Sequence, residues 1–566
     1  MNILGSTFRR SHILALHQFT PRALLRKMIQ LHKQITLNET EQKIHTVLTD
    51  FCGRYNETKA PADQLELRIT GGWVRDKLLG HESHDLDIAI NVLSGEEFAT
   101  QLLQFASDEG YNLGLNSTDL HKIKKNPEKS KHLETCTTKI YGLDIDFVNL
   151  RNEQYTEDSR VPIIECGTAE EDALRRDATL NALFYNVTKN EIEDLTGRGL
   201  ADLQAGVLRT PLQPLQTFLD DPLRVLRLIR FAAQFNFTIE PETLSAMVDP
   251  ELKTALVHKI SRERVGVELE KTLKSNNVSY GLRLINYVGL TPILFDSGTL
   301  RPTIMKLNDQ KLLDELRIQE QMVDTRVDES TQIFDLFCEY VQKNQCFGTI
   351  ARAILGNPST TKQFWLFVTL EPYGGIFVKA SEKKKTEMNY VELIIKEGLR
   401  FGRGDYDLAS KLTASTRDEF LHSHFACPAE TTRSELGTYI RKYGEHFELN
   451  LVGNAFLDVL NSVTVTDQIR TLPTPNGTKV EVSEQILDSI IEKYDAFLAT
   501  IQRRNLNDVR EMKPIIDGKV ISKALERKPG PWMRPVTDEV VLWQLDHPEG
   551  TAEECLEHVR QFLKEM

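Results

Sequence analysis

The chain has 566 residues, of which 40% are hydrophobic and 27% charged, a composition typical of a soluble globular protein with three or four domains. The absence of any run of about 18 apolar residues excludes a transmembrane helix, and seven scattered cysteines without a Cys-x-x-Cys pair argue against a zinc site or disulfide framework. The net charge of −13 argues against nucleic-acid binding, but basic residues cluster at 121–131 and 383–385, so that function stays open.

The first 38 residues carry only basic charge. Arginine and lysine interleave with serine, leucine and isoleucine, and Glu39 is the first acidic residue. This composition predicts a mitochondrial presequence, and the alternative is a disordered basic tail. Initiation at Met28 would remove most of the signal. We therefore predict forms in the mitochondrion, the nucleus and the cytoplasm from alternative starts.

Helical and alternating patterns follow in close order. A helical pattern at 37–55 leads into an alternating strand at 65–69. The Gly71-Gly72 pair ends that strand, and after a short helical stretch an apolar strand extends from Leu86 to Ile90.

Two carboxylates lie at the start of this second strand. Asp85 and Asp87 are two residues apart, so both side chains are expected on one face. Adjacent carboxylates repel unless a divalent cation lies between them, and Mg²⁺ prefers hard oxygen ligands and leaves room for phosphate oxygens. Gly71 and Gly72 would let backbone N–H groups approach a triphosphate whose charge Arg75 neutralises. Alone, each feature is more often a solvent-facing pair or a turn, but together they predict a nucleotide and metal site.

These residues carry a family resemblance. Gly-Gly-x-Val-Arg-Asp at 71–76 followed by Asp-x-Asp at 85–87 resembles the head of the class II nucleotidyltransferases of the polymerase β superfamily. That group contains the CCA-adding tRNA nucleotidyltransferases and the bacterial-type poly(A) polymerases. The resemblance implies a third catalytic carboxylate at Asp146, in a hairpin that turns at Gly142. Asp144 has the same facing, and the sequence does not decide between the two.

A second segment of this kind lies at 170–184. It resembles the family motif Arg-Arg-Asp-x-Thr-x-Asn, which includes Arg175, Arg176, Asp177 and Asn181. In a helix, Asp177 and Asn181 would share a face. They could then bind ribose hydroxyls while Arg176 contacts phosphate, which predicts a preference for ribonucleotides. For Arg175 the alternative is a structural pair with an aspartate at a helix start.

Residues 218–237 predict a helix that begins at Pro222 and carries Arg224 and Arg227 three residues apart. Cytosine and adenine each present an amine beside a ring-nitrogen acceptor, and a carboxylate beside a guanidinium matches that pattern. Asp221 and Arg224 match the family motif Glu/Asp-Asp-x-x-Arg, which implies that they select the base as a protein template. Arg227 is a further candidate nucleotide contact. The alternative is an ordinary salt bridge within one helix.

The rest of the chain is predicted to be helical. A segment at 259–271 resembles the end of the family's catalytic core, where Glu263 and Arg264 are expected to brace the templating helix. Near the C-terminus, a Pro-Gly-Pro turn accompanies four candidate tRNA contacts: Lys519, Lys523, Lys528 and Trp532. The alternative is a helix–turn–helix with solvated lysines and Trp532 in its core.

The resemblance implies an α+β protein, with a polymerase β-like nucleotidyltransferase head that has a small mixed sheet, followed by an all-helical neck, body and tail. The predicted divisions are a targeting segment at 1–38, the head at 39–182, a nucleotide-templating neck at 183–275, the body at 276–400 and a tRNA-binding tail at 401–566.

The implied reaction is template-independent addition of C, C and A to the 3′ end of tRNA from CTP and ATP, with release of pyrophosphate. Asp85 and Asp87 would hold two Mg²⁺ ions. The leader and the tail most resemble fungal CCA-adding enzymes. We expect a monomer whose partners are tRNA, CTP and ATP, without membrane contact. Two alternatives are a poly(A) polymerase of the same architecture and a catalytically silent tRNA-binding protein.

Overall fold

The computed structural model describes residues 29–32, 34–83, 85–114, 121–122, 136–156, 159–344, 346–384, 386–414, 419–463, 472–475 and 482–565. The chain divides into two compact units, residues 1–157 with 161–213 and residues 158–160 with 214–566. Most of the predicted leader, including Met28, and most of the basic stretch at 121–131 lie outside the described residues. The domain divisions at residues 38, 182, 275 and 400 stay predictions.

The first unit is built on a mixed sheet. Its strands are β1 (Leu67–Thr70), β2 (Asp85–Ile90), β3 (His121–Lys122), β4 (Cys136–Ile140), β5 (Leu143–Asn149), β6 (Arg151–Thr156), β7 (Ser159–Cys166), β8 (Leu183–Asn186), β9 (Glu191–Asp194) and β10 (Val207–Leu208). Seven of them form one sheet in the order β3-β4-β5-β2-β1-β8-β9, and β6 pairs with β7. The β2–β5 pair is parallel and the other neighbouring pairs of the large sheet are antiparallel.

Five α-helices accompany this sheet in the part of the first unit that the structure describes. They are α1 (Glu39–Asn56), α2 (Gly72–Leu78), α3 (Gly95–Asp108), α4 (Ala169–Leu174) and α5 (Gly199–Ala205), with 3-10 turns at Pro61–Asp63 and Thr179–Asn181. Three of them begin at a capping box, in which a small polar side chain and a glutamate three residues later satisfy the first backbone N–H groups: Asn38 with Glu41, Ser94 with Glu97, and Thr168 with Glu171.

The predicted elements around the carboxylates are confirmed. The helix expected at 37–55 and the strand expected at Leu86–Ile90 are α1 and β2. The predicted hairpin is β4–β5, and it turns at Tyr141 and Gly142, whose positive φ values of 51° and 82° suit a two-residue turn. In β2, Asp85 is exposed and Asp87 half-buried, whereas the last three residues are buried. The aspartates therefore lie where the sheet emerges from the core.

The second unit consists mainly of helices. They are α6 (Pro214–Asp220), α7 (Leu223–Phe235), α8 (Pro241–Ala246), α9 (Pro250–Lys259), α10 (Arg262–Leu273), α11 (Val278–Tyr287), α12 (Thr291–Leu294), α13 (Arg301–Leu307), α14 (Gln310–Lys343), α15 (Phe347–Gly356), α16 (Pro358–Leu370), α17 (Tyr390–Leu393), α18 (Arg403–Leu412), α19 (Glu419–Ala426), α20 (Arg433–Tyr443), α21 (Phe447–Ser462), α22 (Glu484–Arg503), α23 (Gly518–Ala524), α24 (Met533–Asp546) and α25 (Ala552–Glu565). A π-helical turn lies at Ile394–Gly398, and 3-10 turns lie at Gly298–Leu300, Glu371–Tyr373 and Gly444–His446. Three two-residue strands also occur here: β11 (Thr238–Ile239), β12 (Phe377–Val378) and β13 (Met388–Asn389).

Two groups of packed apolar side chains stand out among the described residues of this helical unit. Phe334, Phe364, Trp365 and Phe456 contact one another in the first core, with ring centroids 4.8 to 6.5 Å apart. A smaller core near the C-terminus includes Ile521, Val536, Val540, Cys555 and Val559. The mixed sheet of the first unit and the helices of the second confirm the predicted α+β class. No helix in the described ranges combines the length and the apolar character needed to cross a bilayer.

Candidate active site

The register of β2 and β5 brings four carboxylates together. In this parallel pair Asp85 lies beside Asp144, and Asp87 lies beside Asp146. Residues two apart in a strand point to the same face, so all four side chains occupy one face of the sheet. We call Asp85 and Asp144 the outer row and Asp87 and Asp146 the inner row. The two aspartates expected on one face are confirmed there, and a partner strand doubles the set.

The next strand, β4, gives the two rows different partners. Lys139 lies opposite Asp144, and its Nζ is 3.3 Å from Asp144 Oδ1 in an exposed ion pair. Thr137 lies opposite Asp146, and its hydroxyl donates to Asp146 Oδ1 at 2.5 Å. Asp144 therefore has a positively charged partner, whereas the partner of Asp146 is neutral. Of the two candidates for a third carboxylate, Asp146 thus lies beside Asp87 and has no basic partner within the described ranges.

The carboxylates of Asp85 and Asp87 accept no hydrogen bond and form no ion pair with any residue that the structure describes. Burial, together with the negative charge of Asp146, raises the pKa of Asp87, and Arg176 acts in the opposite direction. A bound cation would relieve this repulsion, so the donor set fits a divalent metal ion held by Asp85 and Asp87. The described residues contain no ready-made cluster of three or more metal-ligating side chains. Phosphate oxygens and water would complete the coordination, as Mg²⁺ prefers.

Gly71 has a conformation and a position that only glycine suits. It joins β1 to α2 with φ 77° and ψ −145°. A Cβ at Gly71 would lie 2.9 Å from Asp87 Oδ2, and a Cβ at Gly72 would lie 2.9 Å from Nη2 of Arg75. The glycine pair thus lets the backbone approach two of the predicted site residues. Its contact with a triphosphate stays a prediction.

A buried network joins three other predicted residues. Arg75 Nη1 donates to Asn181 Oδ1 at 2.5 Å, and Asn181 Nδ2 donates to Asp177 Oδ1 at 3.0 Å. Each of the three is 7% exposed. Arg75 also donates to both carboxylate oxygens of Asp76. The predicted role of Arg75 at a triphosphate is not tested, but its guanidinium is already bound to two side chains.

The prediction that one helix carries both Asp177 and Asn181 is wrong. Helix α4 ends at Leu174, and Asn181 lies in the separate 3-10 turn at 179–181. The two side chains still meet, because the chain bends between these elements and closes the Asn181–Asp177 hydrogen bond. The two side chains are therefore neighbours as expected, but a bend in the chain and not a shared helix brings them together.

Asp172 anchors both arginines of the motif, and sequence reasoning missed it. This 2% exposed carboxylate lies 2.5 Å from Arg175 Nη2 and 2.7 Å from Arg176 Nη2. Burial alone would raise the pKa of Asp172, but Arg176 and Arg175 hold it below its ordinary value. Arg175 also pairs with Glu153 at 2.6 Å, as expected for a structural arginine. The three- and four-residue spacing from Asp172 to the arginine pair was the available signal.

The residues predicted to select the base lie in the second unit. Asp221 precedes α7, where its Oδ1 accepts from the backbone N–H of Leu223 at 3.2 Å. Arg264 on α10 donates to Asp221 Oδ2 at 3.0 Å, and Arg264 Nη1 is buried without a partner in the described ranges. Arg224 is 8% exposed and donates to the Thr217 carbonyl at 3.2 Å. The bracing contact expected from Arg264 is therefore present and acts on Asp221 directly, whereas Glu263 pairs with Arg400 at 3.3 Å.

Arg227 binds a buried acidic side chain. Its guanidinium lies 3.5 Å from Glu268, which is 4% exposed, and Arg230 lies 2.6 Å from the same carboxylate. Glu268 belongs to α10, so this pair ties α7 to the helix that carries Arg264. Contact of Arg227 with a nucleotide stays a prediction.

The tail residues divide between solvent and core. Lys519, Lys523 and Lys528 are exposed, and the first two line an open groove of about 620 Å³. Trp532 is half-buried against the C-terminal core, and its Nε1 donates to the Lys528 carbonyl at 3.0 Å. The guanidinium of Arg527 covers its ring at 4.7 Å. Contact with tRNA is not tested for any of the four predicted residues.

Known proteins resemble this chain along most of its length. Residues 67–209 match the family model described as "Poly A polymerase head domain", and residues 236–299 match "Probable RNA and SrmB- binding site of polymerase A". A Saccharomyces cerevisiae protein named "CCA tRNA nucleotidyltransferase, mitochondrial" is 42% identical over 541 residues, which cover 94% of both chains.

Solved structures share the fold. A CCA-adding enzyme in complex with ATP has a TM-score of 0.54 and covers 93% of this chain and 95% of its own. The Thermotoga maritima CCA-adding enzyme with tRNA has a TM-score of 0.52 and covers 93% and 96%. Both are 19% identical to this chain. With 42% identity to a curated relative over nearly its whole length, the chain belongs to the family of CCA tRNA nucleotidyltransferases and is a nucleotidyltransferase.

Proposed function

We propose that this enzyme adds C, C and A to the 3′ end of tRNA from CTP and ATP, and that it releases pyrophosphate at each step. The observation that carries the proposal is the inner row beside Asp85: in a member of this family, three carboxylates without basic partners in the described ranges lie on one face of the sheet. Such a set suits nucleotidyl transfer, in which positioning and charge neutralisation supply most of the catalysis.

The reaction forms a bond between the tRNA 3′ oxygen and the α-phosphorus, and it breaks the bond from that phosphorus to the β-phosphate. We propose that Asp146 would help to hold the catalytic metal ion and accept the proton of the 3′-hydroxyl, while pyrophosphate leaves with the electrons of the broken bond. Asp85 and Asp87 would hold Mg²⁺, which when bound neutralises the triphosphate and makes the hydroxyl more acidic.

The choice of nucleotide rests on two groups of residues. Asp177 and Asn181, which Arg75 holds in place, are proposed to bind the ribose hydroxyls, while Arg176 contacts phosphate. Asp221 and Arg224 are proposed to select cytosine and adenine, and Arg227 is proposed to make a further contact with the nucleotide. A site built on such hydrogen bonds rejects a mismatched base because buried donors and acceptors are left unpaired, with discrimination of about 10⁴–10⁵.

The proposal extends to partners and location. The exposed lysines of the tail, Lys519, Lys523 and Lys528, would contact tRNA phosphates, and Trp532 would stack on a base once Arg527 moves aside. We further propose action as a monomer in the mitochondrion, as the name of the Saccharomyces cerevisiae relative suggests, and in the nucleus and cytoplasm from the Met28 start.

The test is incubation with a tRNA that lacks its last three nucleotides, with each NTP alone and combined, with and without Mg²⁺. We expect two additions with CTP, three with CTP and ATP, and none without metal. Asp87→Asn should abolish addition, whereas Asp144→Asn, which removes a carboxylate that already has Lys139 as a partner, should keep most of it. A ladder of A from ATP that ignores CTP would support a poly(A) polymerase instead, and this outcome has a basis in the matched head domain.

A further inference from the structure

We propose that Thr137 is a positioning residue for the third carboxylate. Its hydroxyl would fix Asp146 in one orientation, so that one carboxylate oxygen is occupied and the other faces the reaction. This inference rests on the proposed function, since it assigns a role to a residue that acts only through Asp146.

The geometry gives Asp146 one hydrogen bond and one open oxygen. Thr137 Oγ1 donates to Oδ1 at 2.5 Å, and Oδ2 accepts no hydrogen bond from any residue that the structure describes. An aspartate carboxylate rotates over a broad range about its last torsion, so an unsupported Asp146 would sample many orientations. Threonine is stiff because it branches at Cβ, and a strand holds it firmly. It is therefore a rigid donor for a carboxylate that must stay in one place.

The outer row shows why a neutral donor is needed. Lys139, two residues along β4, gives Asp144 a positive partner at 3.3 Å. A lysine in place of Thr137 would also hold Asp146, but its positive charge would offset the negative charge of Asp146 that attracts a metal ion or a proton. Thr137 supplies direction without charge. The Thr-x-Lys sequence of β4 thus gives Asp146 a neutral partner and Asp144 a positively charged one.

The residue between them offers a matched control. Thr138 points to the opposite face, is 4% exposed, and its Oγ1 has no partner within the described ranges. Thr138→Val removes a buried hydroxyl that bonds to none of the described residues, so it should leave activity within about twofold and stability unchanged or improved. Thr137→Val makes the same chemical change one residue away, on the face that carries Asp146.

The experiment compares Thr137→Val, Thr137→Ser and the control Thr138→Val with the wild type, each as full-length enzyme, in the CCA-addition assay. Thr137→Val should lower kcat about 10–100-fold, the usual cost of losing a partner of a metal-site carboxylate, with less change in KM for CTP. It should also raise the Mg²⁺ concentration needed for half-maximal rate. Thr137→Ser, which keeps the hydroxyl on a less rigid side chain, should recover most of the loss. Thr137→Ala replaces the valine variant if that one does not fold.

Two results would overturn the inference while the proposed function stands. One is that the wild-type enzyme adds C, C and A and the Thr137→Val variant does so with the same kcat. The other is a loss of activity that matches a loss of thermal stability and that serine does not restore. The Mg²⁺ concentration needed for half-maximal CTP binding, measured by equilibrium dialysis, separates the two proposals, because Thr137→Val should raise it in the wild-type background and change nothing further in Asp146→Asn. If the wild type adds no nucleotide, the proposed function fails, and this binding measurement still tests Thr137.

Discussion

Substitution of alanine for Gly71 perturbs the site through a single methyl group. A Cβ at this position would lie 2.9 Å from Asp87 Oδ2, whereas an ordinary contact begins at 3.4 Å. The carboxylate would have to retreat by about 0.5 Å. A misplacement of 1 Å at a reacting centre can cost about 100-fold, so a shift of half that size should lower kcat roughly tenfold. The positive φ of Gly71 should also cost about 1–3 kcal/mol of stability.

Gly142 provides the matched control, because its φ of 82° is also positive but a Cβ there would meet nothing within 4 Å. Both alanine variants should therefore lower the melting temperature, since each carries backbone strain. Gly71→Ala alone should reduce kcat for the addition of C to a shortened tRNA. Initial rates at saturating CTP and one fixed Mg²⁺ concentration, measured below both melting temperatures, separate the two effects.

Equal kcat values for Gly71→Ala and Gly142→Ala would refute the reasoning, because they would show that the Asp87 carboxylate need not hold the position seen here. A loss in both variants that follows stability would have the same consequence. Restored activity of Gly71→Ala at raised Mg²⁺ would support it, since a displaced ligand first weakens metal binding.

Three further substitutions test other parts of the structure. Asn181→Ala removes the charge-assisted bond from Arg75, so the first unit should lose about 3 kcal/mol and calorimetry should show a melting point roughly 6–12 °C lower; a shift below 2 °C would contradict this. Burial, with Arg504 nearby, lowers the pKa of His424 from its ordinary 6.5, so the unfolded chain binds the extra proton first. Stability should therefore be complete above about pH 6.5 and fall as the pH drops through the lowered pKa, and His424→Gln should flatten the melting temperatures between pH 7.5 and 5.5. Arg264→Met should loosen the Asp221 carboxylate and raise UTP and GTP misincorporation with little change in Mg²⁺ dependence, and unchanged selectivity would argue that Arg264 serves stability alone.

Part of the site follows from local rules that a sequence displays. The two-residue repeat of a strand places Asp85 and Asp87 on one face, and the helical apolar pattern at 37–55 predicts α1. These predictions succeeded because the interactions behind them span few residues. Where a local rule was extended too far, at Asp177 and Asn181, the helix proved wrong, since α4 ends before either residue.

Other features depend on which strand pairs with which, and in what register. The pattern of β5 gives Asp144 and Asp146 the same facing, and only the pairing with β2 and β4 sets Asp146 beside Asp87 and Thr137 while Asp144 meets Lys139. A shift of one residue in either pairing would turn these side chains to the opposite face.

The sequence by itself determined the family, the α+β class and the pair of aspartates at the start of β2. Tertiary structure alone decided the partners of those groups: Asn181 for Arg75, Arg264 for Asp221, and Thr137 for Asp146. The first two contacts join residues 106 and 43 positions apart, and the third depends on the register across a hairpin. The first two contacts form only when packing brings distant segments together, so no spacing along the chain records them.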